Sequence, residues 1–317
     1  MKEEKMTKEL LNEYRRVAYY YYMLELTQDE IAKRLKMSRQ RVNRIVSACV
    51  KLGIVKISIE GLEQCNLELE TKLEEKYGLR EVRIIDNEDE EEVFDVLGKG
   101  AAVCLKEMLN DNDIIGITRG RTTAAMVDNL SVSNATPKNL TVTQLIGSTK
   151  ETDSTMGVSR LVYVLTEKLK AKDEVLYAPV IVGNPELKEG FMQDAVCKSV
   201  YSVMKRCTIA VVGIGTAQSQ WKHMISLYDK NDANQSKWAE NVAGEVCTHF
   251  YDKDGNAVEP PFRNRIISIA LQDYKNIPIR MGVAGGEEKV QAIRSALLGG
   301  YINVLITDSK TAELLLD

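Results

Sequence analysis

The chain reads as an α/β protein, with an N-terminal (winged) helix-turn-helix domain followed by a doubly wound, mainly parallel α/β sheet domain. Three observations predict this. At 317 residues and 44% hydrophobic side chains it exceeds one typical domain and can bury a core in each of two. Its charge is segregated: residues 1–52 hold 12 basic and 7 acidic side chains and the remainder 30 against 39, consistent with the overall net charge of −4. Beyond residue 80, strand-like and helix-like windows alternate, the rhythm of a parallel sheet covered on both faces. The expected domains are 1–60 and 61–317.

A first helix is expected over about Lys8 to Glu25, and it carries the YYYYM run at Tyr19–Met23. Alternate tyrosines of that run cannot all be buried, and packing is their default role. Thr27 then reads as an N-cap with Glu30 three residues later, a capping box that starts a short helix with Ile31, Ala32 and Leu35 on its apolar side. Met37 fills the turn. Ser38 caps a second helix in which Val42, Ile45, Val46 and Cys49 recur at helical spacing and face the first.

The other side of that second helix carries Arg39, Gln40, Arg41, Asn43 and Arg44, all near its N-terminal end. A helix docked in the major groove presents that end to base edges. Arg can make two hydrogen bonds to guanine, and Gln or Asn two to adenine, so the composition suits sequence reading as well as charge neutralisation. Gln28, opening the preceding helix, joins this set with the capping Ser38. From Ile31 to Ile59 there are eight Lys or Arg and no Asp or Glu, whereas a merely solvated helix face mixes signs. Double-stranded DNA is the expected partner of this head. Gly53 closes the helix, and IVKISIE from Ile54 alternates like a strand, as a small wing or the start of a linker.

In the larger part, residues 62–77 form an amphipathic helix ending at Gly78, and the acidic EDEEE at 88–92 is a solvated loop or helix start. Strands are expected at EVRII from 81, DIIGI from 113, LTVTQLI from 140, PVIV from 179, TIAVVGI from 208, RIISIAL from 265, IPIRMGV from 277 and YINVLIT from 301. Helical windows include Val93–Asn110, Thr122–Leu130, Ser159–Lys170 and Lys289–Leu298. Many strands run into glycine, and ligands of open α/β sheets sit outside the carboxyl ends of the strands.

The best candidate is DIIGITRGRTTAAMVDNL. Its strand ends at Ile117, Gly120 permits close backbone approach, and Arg121, Thr122 and Thr123 open a helix whose free amides and dipole favour an anion. Plain α/β architecture uses the same turn. Lys289 begins another such helix and could add a cation or be a surface lysine; Arg265 could be a functional cation or a rim charge.

Other chemistries find no support. GxGxxG and GxxxxGK[ST] are absent. Cys49, Cys65, Cys104, Cys197, Cys207 and Cys247 are scattered without a CxxC pair, which argues against a zinc site or a disulfide scaffold. His223 and His249 have no nucleophile or carboxylate at a diagnostic spacing and read as surface or packing residues. No cofactor and no metal is expected. There is no apolar segment after MKEEKMTKEL and no run of about 18 apolar residues, so a cytoplasmic chain without a membrane partner is predicted.

The chain resembles the SorC family of bacterial transcriptional regulators over nearly its whole length. The residues that carry the resemblance are the head from YYYYMLELTQDEIAKRLKMSRQRVNRIV, the turn GITRGRTTA, the strand TIAVVGIGT, the stretch VAGEVCTHFYDKDGN and the tail from RMGVAGGEEKVQAIRSALLGGYINVLITDSK. The resemblance implies a body like the glucosamine-phosphate deaminase and ribose-phosphate isomerase fold that binds a phosphorylated sugar or polyol. It places the phosphate turn at Gly120, Arg121 and Thr122, the next loop at Gly147 and Ser148, the acidic sugar contact at Glu245 and the basic contacts at Arg265 and Lys289. Arg119 stands where family members commonly have an aromatic residue, and Ile146 beside Gly147 cannot form an imine, so noncovalent binding is expected. A homodimer or homotetramer on operator DNA is implied, since one head covers a half-site. The alternative is a sugar-phosphate isomerase or deaminase-like enzyme, but Glu245, Asp194 and Asp308 have no motif support as its general base.

Overall fold

The computed structural model describes residues 8–57, 66–86, 93–132, 137–148, 156–216 and 238–317. The chain divides into two compact units, residues 1–65 and 66–317. The α-helices of the described residues are α1 Lys8–Ala18, α2 Gln28–Leu35, α3 Arg39–Lys51, α4 Leu67–Tyr77, α5 Val93–Met108, α6 Arg121–Asn129, α7 Val158–Leu169, α8 Pro185–Gln193, α9 Ala195–Met204, α10 Leu271–Lys275, α11 Val290–Leu298 and α12 Ser309–Leu316.

The smaller unit is built on α1, α2 and α3. Thr27 and Glu30 cap α2 reciprocally, and Ser38 accepts the Arg41 N–H at the start of α3. Between them Lys36 takes the left-handed conformation (φ 51°), which turns the chain sharply enough for α3 to pack back on α2. Val17, Ile31, Val42, Ile45, Val46 and Cys49 close the core, and full burial of each aliphatic side chain is worth about 1.5–3 kcal/mol.

Two expectations for this unit need correction. The helix expected from Lys8 to Glu25 is α-helical only to Ala18. Tyr19–Met23 form a π-helical turn, with the Leu24 N–H reaching the Tyr19 carbonyl. The wider turn sets Tyr20, Tyr21 and Tyr22 partly buried against the core and leaves Tyr19 half exposed. The strand expected from Ile54 is absent from its described part, residues 54–57. Gly53 (φ 67°) folds the chain back, and the Val55 N–H bonds the Cys49 carbonyl, tucking Ile54 and Val55 onto the helices instead of extending them. Residues 58–60 of that stretch, and the acidic 88–92, lie outside the described residues.

The described residues of the larger unit form ten strands: β1 Glu81–Ile85, β2 Ile114–Ile117, β3 Thr141–Gln144, β4 Lys172–Glu174, β5 Ile209–Gly213, β6 Gly215–Thr216, β7 Gly244–Val246, β8 His249–Tyr251, β9 Ile279–Val283 and β10 Val304–Asp308. Seven form a parallel sheet in the order β1-β10-β9-β5-β2-β3-β4. Alternate residues feed two cores: Ile209 and Val211 of β5 pack towards α5, α6 and α7, while Ala210 and Val212 pack on the other side with α9 and α11. The strand order reverses between β5 and β2, where chain crossovers diverge to opposite edges and a crevice opens at the carboxyl ends.

The runs PVIV and RIISIAL do not form ladder strands. They meet the segment 145–148 and each other through isolated bridges, Ser148 with Pro179, Ile181 with Ile266 and Ile146 with Ser268. Pro179 has no N–H to donate, which interrupts a ladder at its first residue. Edge strand β4 is the charged triplet KDE, which no hydrophobic period reveals, and β6, β7 and β8 make a separate antiparallel sheet of two- and three-residue strands.

Candidate functional site

In the head, Val42, Ile45, Val46 and Cys49 of α3 are buried, while Arg39, Gln40, Arg41, Asn43 and Arg44 are exposed, as the helical spacing requires. Gln28 and Asn43 are brought together, the Gln28 Nε2 donating to the Asn43 Oδ1 at 3.3 Å. Folding also adds carboxylates to a face that is acid-free in the linear sequence. Arg41 pairs with Glu13 of α1 at 2.9 Å and Arg39 with Asp29 of α2 at 3.4 Å. Arg44 has no ion pair among the described residues. The Arg39–Asp29 pair is solvent-exposed and the Arg41–Glu13 pair partly so, and exposed pairs of this kind contribute only about 0–1 kcal/mol.

In the larger unit a cleft of about 350 Å³ opens where β2, β5 and β6 end. Gly120, Arg121, Thr122, Glu245 and Lys289, separated by up to 169 positions in sequence, all line it. Gly120 N-caps α6 with φ 143°, a conformation that suits glycine, and no side chain caps the helix there. Thr122 is buried with its hydroxyl donating to the Val283 carbonyl at 3.1 Å, which ties the start of α6 to the end of β9. Lys289 stands at the start of α11, and burial, then the nearby Arg121 charge, lowers its pKa.

The opposite wall is the β7–β8 hairpin. Its two-residue turn, Cys247 (φ 53°) and Thr248 (φ 64°), places both central residues in the left-handed region that a two-residue hairpin demands and that a β-branched threonine resists. Three contacts hold the strain: the Thr248 N–H donates to Glu245 Oε2 at 2.9 Å, the Thr248 hydroxyl to Ser268 Oγ at 2.7 Å, and the Cys247 side chain is buried in the core. Glu245 lies across the ladder from Gly215, where a Cβ would come within 3.0 Å of its carboxylate. Glycine at 215 therefore leaves room for the acid.

Gly147, Ser148 and Arg265 do not line the cleft, contrary to their expected roles. Gly147 donates its N–H to Ile267 and packs so closely on Pro179 that a Cβ would lie 2.6 Å from its backbone. Ser148 bridges to Pro179 and its hydroxyl bonds Ser159. The Arg265 Nε donates to the Val182 carbonyl. Phe94, Thr118, Thr216, Met156 and Glu288 do line it, although nothing in their sequence context marked them. The Arg121 guanidinium lies over the Phe94 ring at 3.6 Å from its centre, and the Lys289 ammonium lies 5.8 Å from the same centre.

The remaining candidates serve structure. Asp194 N-caps α9, and Asp308 N-caps α12 while accepting the Gly286 N–H. His249 is buried beside Tyr274 with Nε2 at 3.1 Å from the Ile269 carbonyl, and burial lowers its pKa to about 3, so it is neutral at physiological pH. His223 and Cys65 lie outside the described residues. Among the described residues no group of three His, Cys, Asp or Glu could hold a metal, and no helix is long and apolar enough to cross a membrane.

Comparison with known proteins matches residues 63–317 to a sugar-binding domain family and residues 25–56 to winged helix-turn-helix DNA-binding domains. The sorbitol operon regulator of Klebsiella pneumoniae is 32% identical over 307 residues, covering 95% of this chain and 96% of the regulator.

The chain belongs to the SorC family.

As a member of it, the chain is a transcriptional regulator with a DNA-binding helix-turn-helix and a sugar-binding domain, and not an enzyme. The crystal structure of the full-length Klebsiella sorbitol operon regulator SorC superimposes with a TM-score of 0.76 at 30% identity, over 98% of this chain and 100% of that one. The transcriptional regulator LsrR of Escherichia coli K12 is 29% identical over 306 residues, 95% of this chain and 93% of LsrR.

Proposed function

We propose that this SorC-family chain controls a carbohydrate or polyol utilisation operon in response to noncovalent binding of a phosphorylated sugar or polyol. The observation that carries the reading is the seat at the start of α6. A helix N-terminus with no side-chain cap lies beside two cations, Arg121 and Lys289, neither of which forms an ion pair with a carboxylate among the described residues. Free N–H groups, the helix dipole and two cations suit a phosphate dianion. Glu245, on the opposite wall, is an acceptor suited to sugar hydroxyls.

The head, residues 1–60, reads operator DNA through Gln28, Ser38, Arg39, Gln40, Arg41, Asn43 and Arg44, with Ser38 acting through its cap. Residues 61–317 bind the effector and assemble a homodimer or homotetramer, so that paired heads meet paired half-sites. The effector shifts operator affinity only as far as it binds one arrangement of heads better than another. A thermal-shift screen of sugars and polyols beside their phosphate esters tests this: stabilisation by esters and not by parent alcohols is expected. Equal stabilisation by both, or turnover of the esters, would reject it.

A further inference from the structure

The cleft contains an aromatic ring within reach of both its cations, and the packing of α5 on α6 explains why it is there. Gly98 of α5 lies against Ala125 of α6 so closely that a Cβ on Gly98 would fall 2.4 Å from the Ala125 Cβ. One helical turn earlier on each helix stand Phe94 and Arg121, four residues before Gly98 and Ala125 respectively. Residues four apart share a helix face, so the close approach at Gly98 carries Phe94 directly over Arg121. The guanidinium sits 3.6 Å from the ring centre, and Lys289 approaches from the start of α11.

We propose that Phe94 is a positioning residue of the anion seat: its ring holds Arg121 and Lys289 in place by cation–π attraction, with their N–H donors left for the effector's phosphate. The proposal rests on the phosphate reading of this cleft and adds the device that prearranges it. A stacked guanidinium engages the ring with its face, while its five N–H groups lie in its plane and remain available to oxygen. Without the ring, two like charges at one cleft would spread into solvent, and binding would have to order both. Burial first, and the Arg121 charge second, lower the Lys289 pKa.

The test replaces Phe94 in the full-length protein with mono-, di- and trifluorinated phenylalanine, which withdraw electron density from the ring face while nearly keeping its shape. Binding of inorganic phosphate is then measured by titration calorimetry. A stepwise loss of affinity, about tenfold across the series, is expected, with Phe94→Leu falling as far and Phe94→Tyr staying near wild type. Affinity independent of fluorination, or rising with it, would overturn the positioning role while leaving the phosphate seat intact. Failure of the unsubstituted protein to bind phosphate would remove the seat itself, and the proposal with it.

Discussion

Cations equip both units of this protein, and their surroundings differ. On α3, Arg39 and Arg41 lie in solvent, held at their tips by Asp29 and Glu13. In the cleft, Arg121 has no ion pair among the described residues and rests on a ring, and Lys289 is half buried. Exposed pairs exchange readily for phosphates along a polyanion, whose binding draws on counterion release. A small anion offers few contacts, so its seat benefits from cations already in position. On the proposed function, the size of the anion decides how firmly a cation is held.

The sharpest way to separate the units is Arg39→Ala with Arg41→Ala. Operator affinity should fall on the order of a thousandfold in a mobility-shift titration, while the thermal shift with a sugar phosphate stays unchanged. Undiminished DNA binding would break the comparison on the head side. Conversely, Arg121→Glu at an exposed position should weaken phosphate-ester binding about a hundredfold in calorimetry and leave operator affinity of the unliganded protein intact.

A smaller effect follows from Lys289. Burial and Arg121 lower its pKa in the empty cleft, and a bound dianion favours the ammonium again, so binding takes up protons. Affinity should therefore decline with rising pH in the alkaline range below the ordinary lysine value of 10.5, by less than about tenfold per pH unit, and calorimetry in buffers of different ionisation enthalpy should register the uptake. Affinity that rises over that range would contradict it. Smallest is Asp29→Asn with Glu13→Gln, which frees both arginines: operator affinity should increase a few-fold, and unfolding free energy should change by about 1 kcal/mol or less.

The two units were also unequally legible before folding. In the head, the capping box at Thr27 and Glu30, the cap at Ser38 and the apolar period of Val42, Ile45 and Val46 are local signals, and local hydrogen bonds and helical spacing realise them. In the larger unit the turn at Gly120–Thr122 is local as well. Phe94 is not, because its value depends on Gly98 meeting Ala125 across two helices. Gly147 and Ser148 lie outside the cleft lining: a glycine after a strand-like run marks close approach, and what approaches Gly147 is the backbone of Pro179.

Sequence alone determined the two capped helices of the head, six of the seven strands of the parallel sheet, the inward and outward faces of α3, and the family. The elements and faces follow from periodicity and capping, which act over a few residues, and the family from a resemblance that runs along nearly the whole chain. Only the tertiary structure decided that Glu13 and Asp29 reach the arginines of α3, that the Cys247–Thr248 turn is strained against Glu245 and Ser268, and that Arg121 and Lys289 share the Phe94 ring. Most of those contacts join residues twenty or more positions apart, and their energies depend on distance and burial that no local pattern encodes.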